Sequence, residues 1–148
     1  MSIGPTSEEA SLRQRIEKLA QAISAMDLEA VMSMFAANIV AFDIEPPLQH
    51  SGAEAKRRNW QNMFSIYQKP FEYQVQHLTI TMGGGIACAR SLNRISGTTK
   101  DGGKVERWVR ATTCWQKMNL DWLIVHDHVS VPLDLPSGKA LLDLRPGS

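Results

Sequence analysis

A short run near the end of the chain places ionisable side chains inside an apolar strand pattern: Trp122-Leu-Ile-Val-His-Asp-His-Val-Ser-Val-Pro132. Because side chains alternate along a strand, Asp127 and Val129 should face one side. Ile124, His126 and His128 should then face the other. One face of the strand would then carry a carboxylate among valines, and the other would carry two imidazoles.

Two imidazoles on one strand face could also hold a metal ion, but such a site needs at least one further ligand. His50 and His77 have no spacing that supplies it. No serine or cysteine lies near a histidine and an acid in a recognisable nucleophile motif either. We therefore predict neither a metal site nor a covalent catalyst.

The composition favours one compact domain without a nucleic-acid partner. The chain has 148 residues, of which 43% are apolar, enough for a single core. Its 16 basic and 15 acidic residues form no block of like charge that could follow a phosphate backbone. The one basic run, Lys56-Arg57-Arg58, is interpreted as the solvated face of an amphipathic helix.

The cysteines and the hydropathy pattern predict a cytoplasmic protein. Cys88 and Cys114 both lie in apolar strand patterns and are interpreted as buried thiols in a reducing compartment. No segment approaches the roughly 20 apolar residues of a membrane helix. Residues 1–9 lack the basic start and apolar run of a secretion signal.

The first half of the chain predicts helices around one early strand. Thr6 is a candidate cap for a first helix of about four turns. Asp27 can cap a shorter second helix, with Phe35 on its apolar face. A strand follows over 38–43. Ser51 and Glu54 then form a capping-box pattern that opens a third helix, which Pro70 closes.

The second half reads as an antiparallel meander of four strands. The strands cover 71–82, 86–98, 105–116 and 122–132, joined by turns rich in glycine, asparagine and aspartate. Gly83-Gly84-Gly85 is a hairpin turn, because no Lys-Ser/Thr and helix follow it as a phosphate loop requires. The pattern is α+β, with three N-terminal helices packed on a strongly curved, mostly antiparallel sheet. Residues 1–132 form the domain, and the tail 133–148 packs on the body or on a second subunit.

Two segments resemble a known family. The segment Phe35-Ala-Ala-Asn-Ile-Val-Ala-Phe-Asp43, followed by Gly52 at a helix start, is similar to the ketosteroid isomerase segment that ends in its general base. Cys114 to Ser130 is similar to the last hairpin of SnoaL-like proteins and of the association domain of calcium/calmodulin-dependent protein kinase II. The resemblance covers about 7–132 and implies the nuclear transport factor 2-like cone fold, whose open end admits a mostly apolar ligand.

The resemblance also implies roles for individual residues. Asp43 falls on the isomerase base, and Arg90 falls on a pocket-lining strand position. Thr113 falls near the oxyanion-stabilising acid, and Asp127 on a pocket-facing position of the last strand. Leu19 stands where the isomerase has its oxyanion-hole tyrosine, so we expect no true ketosteroid isomerase activity.

Two functions remain open. The first is a cofactor-free isomerase, cyclase or hydratase acting on a small apolar or aromatic molecule, with Asp43 as base. Arg90 and Asp127 would orient the ligand or polarise its carboxylate or enolate. The second is a non-catalytic binding or association domain, in which Arg90 merely pairs with Asp43 or Asp127. The predicted ligand-binding residues are Asn59, Trp60, Phe64, Thr113 and Val129.

The resemblance further implies a homodimer, because the sheet face opposite the cone commonly makes the dimer contact in this family. His126 and His128 would lie on that face if Asp127 points into the cone. We expect them to be interface or core histidines.

Overall fold

Three helices form where capping and apolar periodicity predict them. The computed structural model describes residues 6–147, with helices α1 (Ser7–Ser24), α2 (Leu28–Met32) and α3 (Ala53–Ile66). Thr6 Oγ1 accepts a hydrogen bond from the Glu9 amide at 3.1 Å and caps α1 as expected. Asp27 caps α2 in the same way, through the Ala30 amide at 3.2 Å.

A six-stranded sheet carries the rest of the domain, in the order β2-β1-β6-β5-β4-β3. β3 to β6 form the predicted antiparallel meander, and β1 pairs parallel with β6. This arrangement confirms the α+β cone fold. The strands are β1 (Phe35–Phe42), β2 (His50–Ser51), β3 (Tyr67–Gly83), β4 (Ile86–Thr99), β5 (Lys104–Met118) and β6 (Asp121–Ser130).

Three boundaries differ from the prediction. Phe35 begins β1 instead of belonging to the second helix. Ser51 lies in β2 and does not cap α3, whose N-cap is Gly52 with a φ of 90°, a conformation that glycine adopts without a steric penalty. Pro70 lies inside β3 instead of closing the helix, at a point where the pairing with β4 is irregular.

A bulge in β6 corrects the simple alternation of that strand. Cys114 pairs with His126, whereas the next residue of β5, Trp115, pairs with Ile124, so Val125 has no partner in the register. Such an extra residue reverses the facing of the side chains that precede it. Ile124 therefore points to the concave side of the sheet, as Asp127 does, where both line a cavity between the sheet and the helices. The prediction that Ile124 lies on the opposite face was wrong.

The core fills the space between the helices and the concave face of the sheet. Leu12 and Ile23 of α1 and Ile39 of β1 are at most 1% exposed. They pack in one cluster with Trp115 and Ile124 from the sheet. This packing stabilises the wall on which the site is built.

The tail folds back as a small hairpin of β7 (Leu133–Asp134) and β8 (Lys139–Ala140). The Leu141 amide donates to the Pro132 carbonyl at 2.9 Å, and Arg145 forms an ion pair with Glu106 of β5 at 3.4 Å. These contacts hold the tail against the body of the domain.

The two cysteines are not both buried, which corrects the sequence interpretation. Cys88 is exposed, and Cys114 is half-buried. They lie directly opposite each other on β4 and β5, on the sheet face away from the cavity. Among residues 6–147, no helix is long and apolar enough to cross a membrane.

Candidate functional site

Lys56 lies at the centre of the site. Its side chain is 3% exposed, and its Nζ lies 3.2 Å from Asp43 Oδ2 and 2.7 Å from Asp127 Oδ2. The ammonium also lies 5.3 Å from the ring centre of Trp60 and 5.5 Å from that of Phe35. The interpretation of this lysine as part of a solvated face was therefore wrong. The interpretation as a solvated helix face is correct for the next two residues: Arg57 pairs with exposed Glu29, and Arg58 is exposed.

Strand pairing explains why the two carboxylates meet. Ala41 of β1 is the register partner of Asp127 in β6. Asp43 follows two residues later, and the period of two along an extended chain puts it on the same face as Ala41. Gly52 turns the chain into α3, and this places Lys56 in the first turns of the helix directly over both aspartates.

The pKa values of Lys56 and Asp127 are both shifted by burial and by neighbouring charges. Burial by itself lowers the pKa of the Lys56 ammonium, but the charges of Asp127 and Asp43 outweigh it, and the net direction is upward. Burial raises the pKa of the Asp127 carboxyl above its ordinary range, and Asp43 adds to this, although Lys56 acts in the opposite direction. The lysine is thus stabilised as a cation, and the pKa of the Asp127 carboxyl is shifted towards protonation.

Two buried polar atoms beside Lys56 have no hydrogen-bond partner within residues 6–147: Asp127 Oδ1 and Trp60 Nε1. Asp43 differs, because its Oδ2 also accepts from the Asn59 amide at 2.5 Å. A buried group without a partner costs free energy, typically about 1–3 kcal/mol. Asp127 and Trp60 both line the cavity between the sheet and the helices, so its wall contains one acceptor and one donor without partners in the described chain.

A second polar chain reaches the cavity from β4 and β3. Ser91 Oγ donates to Asn93 Oδ1 at 2.7 Å, and Asn93 Nδ2 donates to the Tyr73 hydroxyl oxygen at 2.7 Å. Burial raises the pKa of Tyr73 to about 12. Ser24, at the end of α1, fixes the backbone of Tyr73 from both sides. The phenol is thus a neutral, positioned group whose own proton has no acceptor in the described part of the chain.

These groups line a cavity of about 320 Å³, within the usual range for small-molecule sites. Its walls are mostly apolar and come from α1, α3 and the concave face of the sheet. The structure brings together most of the residues predicted from the sequence: Leu19, Asp43, Asn59, Trp60, Thr113, Asp127 and Val129. Thr113 is already occupied, because its hydroxyl accepts a hydrogen bond from the Trp115 indole at 2.8 Å.

Two predicted residues lie outside the cavity. Arg90 is exposed and points away from it, because its neighbours Ala89 and Ser91 are the residues of β4 that line the wall. Neither Asp43 nor Asp127 pairs with it. Phe64 packs behind Trp60, with ring centres 5.9 Å apart, and does not reach the cavity surface.

The sequence interpretation missed Lys56, Tyr73 and Asn93. A signal for Lys56 existed, since it lies four residues before Trp60 and therefore on the same helix face. Asn93 could be found only as a polar residue in an inward-facing strand position. For Tyr73, the irregular pairing of β3 with β4 prevented simple alternation from showing which face of the sheet the side chain is on.

Within residues 6–147, no three histidine, cysteine or acidic side chains are grouped so that they could hold a metal ion.

The cone fold and its lined cavity define the class of protein: the chain belongs to the SnoaL-like domain family, whose model matches residues 12–134. An NTF2-like protein of unknown function from Pseudomonas putida KT2440 is 32% identical, with a TM-score of 0.86 over 96% of this chain and 99% of that one. No curated protein sequence gives a significant match.

Two more distant structures share the fold. An NTF2-like superfamily protein from Salmonella enterica is 19% identical, with a TM-score of 0.74 over 89% of this chain and 96% of that one. The association domain of CaMKII from C. elegans is 18% identical, with a TM-score of 0.69 over 84% of this chain and 96% of that one. At these identities the likeness concerns the fold alone.

Proposed function

We propose that this protein binds a small, mostly apolar molecule in the cavity and catalyses a cofactor-free proton transfer on it, as in an isomerisation, cyclisation or hydration. The observation that carries the proposal is Asp127 Oδ1, a buried carboxylate oxygen without a hydrogen-bond partner in the described chain. An acid or base must reach the proton that it transfers, and this atom is the open one of the two carboxylates.

The neighbouring groups support Asp127 as the residue that transfers the proton. Lys56 holds Asp127 Oδ2 and leaves Oδ1 free to exchange a proton with a ligand. Asp43 balances the charge of Lys56 and is itself fixed by Asn59. The Tyr73 hydroxyl and the Trp60 indole can donate to a ligand oxygen on which negative charge develops. The resemblance had implied Asp43 as the base, and the two assignments are separable by mutation.

A proton-exchange assay tests the proposal. Compounds with an enolisable carbonyl on an apolar ring or chain are incubated with the protein in D₂O, and loss of the α-proton signal is followed by NMR. We expect protein-dependent deuterium incorporation into those compounds that raise the melting temperature. Asp127→Asn is the matched variant. Stabilising ligands that never exchange would contradict the catalytic proposal.

A non-catalytic binding domain is the alternative, and the ion triad supports it. Lys56 satisfies a carboxylate oxygen of Asp43 and one of Asp127 without any ligand, as a purely structural ion cluster would. Binding without exchange, equal in wild type and Asp127→Asn, is the result that would favour this function.

We also propose that the protein acts in the cytoplasm as a homodimer, through the outer face of the sheet. Phe42 is 38% exposed there and packs edge-on against His126 and His128, with ring centres 4.7 and 5.5 Å apart. An exposed aromatic cluster of this kind is typical of protein interfaces. Phe42→Ser should weaken dimerisation at least about tenfold in sedimentation equilibrium. Leu120→Ser, at an exposed turn, is the control, and a monomeric wild type would refute the interface.

A further inference from the structure

Arg107 is a second cation in the cavity wall, far from Asp127 along the sheet. It lies on β5, on the same face as Val109 and Ala111, and all three line the cavity. In the register with β6, Thr113 is opposite Asp127, so Arg107 lies six residues, or about 20 Å of extended strand, from that position. The side chain is only partly buried.

The guanidinium of Arg107 has no ion-pair partner among residues 6–147. Its chain neighbour Glu106 faces the other side of the sheet and pairs with Arg94 and Arg145. Glu45 also lines the cavity, but it is exposed and lies beyond 4 Å from the guanidinium. Lys56, by contrast, is committed to two aspartates. Arg107 is thus the lining cation, among the described residues, that is free to bind a ligand anion.

Tyr67 provides a second donor at the same end. It is 8% exposed and lines the cavity. Burial raises the pKa of its phenol, and the positive charge of Arg107 acts against this rise, so the two groups lie within electrostatic range of each other. No acceptor for the Tyr67 hydroxyl occurs in the described chain. A guanidinium and a phenol hydroxyl are both hydrogen-bond donors, and carboxylate oxygens accept from groups of these kinds.

We propose that the ligand is an elongated hydrophobic carboxylic acid, with its carboxylate bound by Arg107 and Tyr67 and its reactive carbon near Asp127. The inference rests on the proposed function, because it names the substrate class of the same cavity. Between Arg107 and Asp127 the cavity wall is apolar and includes Val109 and Ala111. In this proposal that part of the wall contacts the hydrophobic chain of the ligand. The resemblance had implied this role for Arg90, which is exposed on the opposite face, and the present proposal gives it to Arg107 of β5.

The test compares each carboxylic acid with its uncharged methyl ester. Arylalkanoic keto acids of increasing chain length and their methyl esters are titrated against the protein, and both affinity and α-proton exchange in D₂O are measured. We expect the acids of optimal length to bind at least about tenfold more tightly than their esters. Arg107→Gln should remove this preference and leave ester binding unchanged. Arg90→Gln, which alters an exposed arginine on the opposite face, should keep it.

The outcomes separate the two proposals. Esters that bind and exchange as well as the acids would overturn the anionic ligand class and leave the proton-transfer function standing. An acid preference that survives in Arg107→Gln would equally overturn the assignment of Arg107. Acid and ester that both fail to bind at every chain length would overturn the inference together with the proposed cavity function.

Discussion

Replacing Lys56 with methionine should lower the free energy of unfolding by about 3–5 kcal/mol, the usual effect of removing one partner from a buried ion pair. The side chain is 3% exposed, so solvent screens these charges little. Methionine preserves the packing against Trp60 but leaves Asp43 and Asp127 facing each other without a cation. Urea unfolding followed by tryptophan fluorescence measures the loss. Arg58→Met, an exposed position on the same helix, should change stability by less than about 0.5 kcal/mol.

The pH dependence of this loss identifies its cause. Burial and Asp43 already raise the pKa of Asp127, and removal of Lys56 takes away the main opposing charge. A carboxyl whose folded pKa lies above its unfolded value stabilises the fold at low pH, and that contribution is lost as the pH rises through the folded pKa. The gap between Lys56→Met and wild type should therefore be small near pH 4 and grow towards pH 7. A gap independent of pH would indicate lost packing instead of unpaired charge.

Asp127→Asn should reduce the rate of proton exchange on a bound ligand by about 10²–10⁴-fold, the usual contribution of a positioned acid or base. Asparagine has nearly the same shape and can still accept from Lys56, but it cannot take up a proton. The fold should remain intact because Asp43 still balances the lysine. Exchange measured by NMR, with the melting temperature as a check on folding, gives the result.

Asp43→Asn is the matched variant, since both carboxylates contact the same ammonium. We expect it to reduce exchange far less than Asp127→Asn, because Asp43 Oδ2 is already engaged by Asn59 and Lys56. The reverse order of effects would make Asp43 the base, as the family resemblance implied. A raised pKa at Asp127 also predicts that the activity rises with pH at values above the ordinary aspartate pKa of about 3.9.

The fold followed from local patterns that the sequence displays. The caps at Thr6 and Asp27, the helical spacing of α1 and the turns between β3 and β6 were all predicted from neighbouring residues. Alternation put Asp127 on one strand face and His126 and His128 on the other, which holds because the bulge in β6 precedes all three, and the family resemblance turned Asp127 towards the cavity. The boundary errors at Ser51 and Pro70 arose where tertiary contacts overrode a local signal.

The site depended more on contacts between distant segments. The sequence by itself determined the fold and the separation of Asp127 from His126 and His128 on opposite faces of the last strand. The tertiary structure decided which cation meets the two carboxylates. It buried Lys56 and exposed Arg90, because the packing of whole elements decides which face of a helix or strand is turned inward. It also brought Tyr73 to Asn93 across β3 and β4 and left Arg107 without an ion-pair partner among residues 6–147. A charged residue in a local sequence pattern is known only to be polar. Its burial and its partners are settled only once the chain has folded.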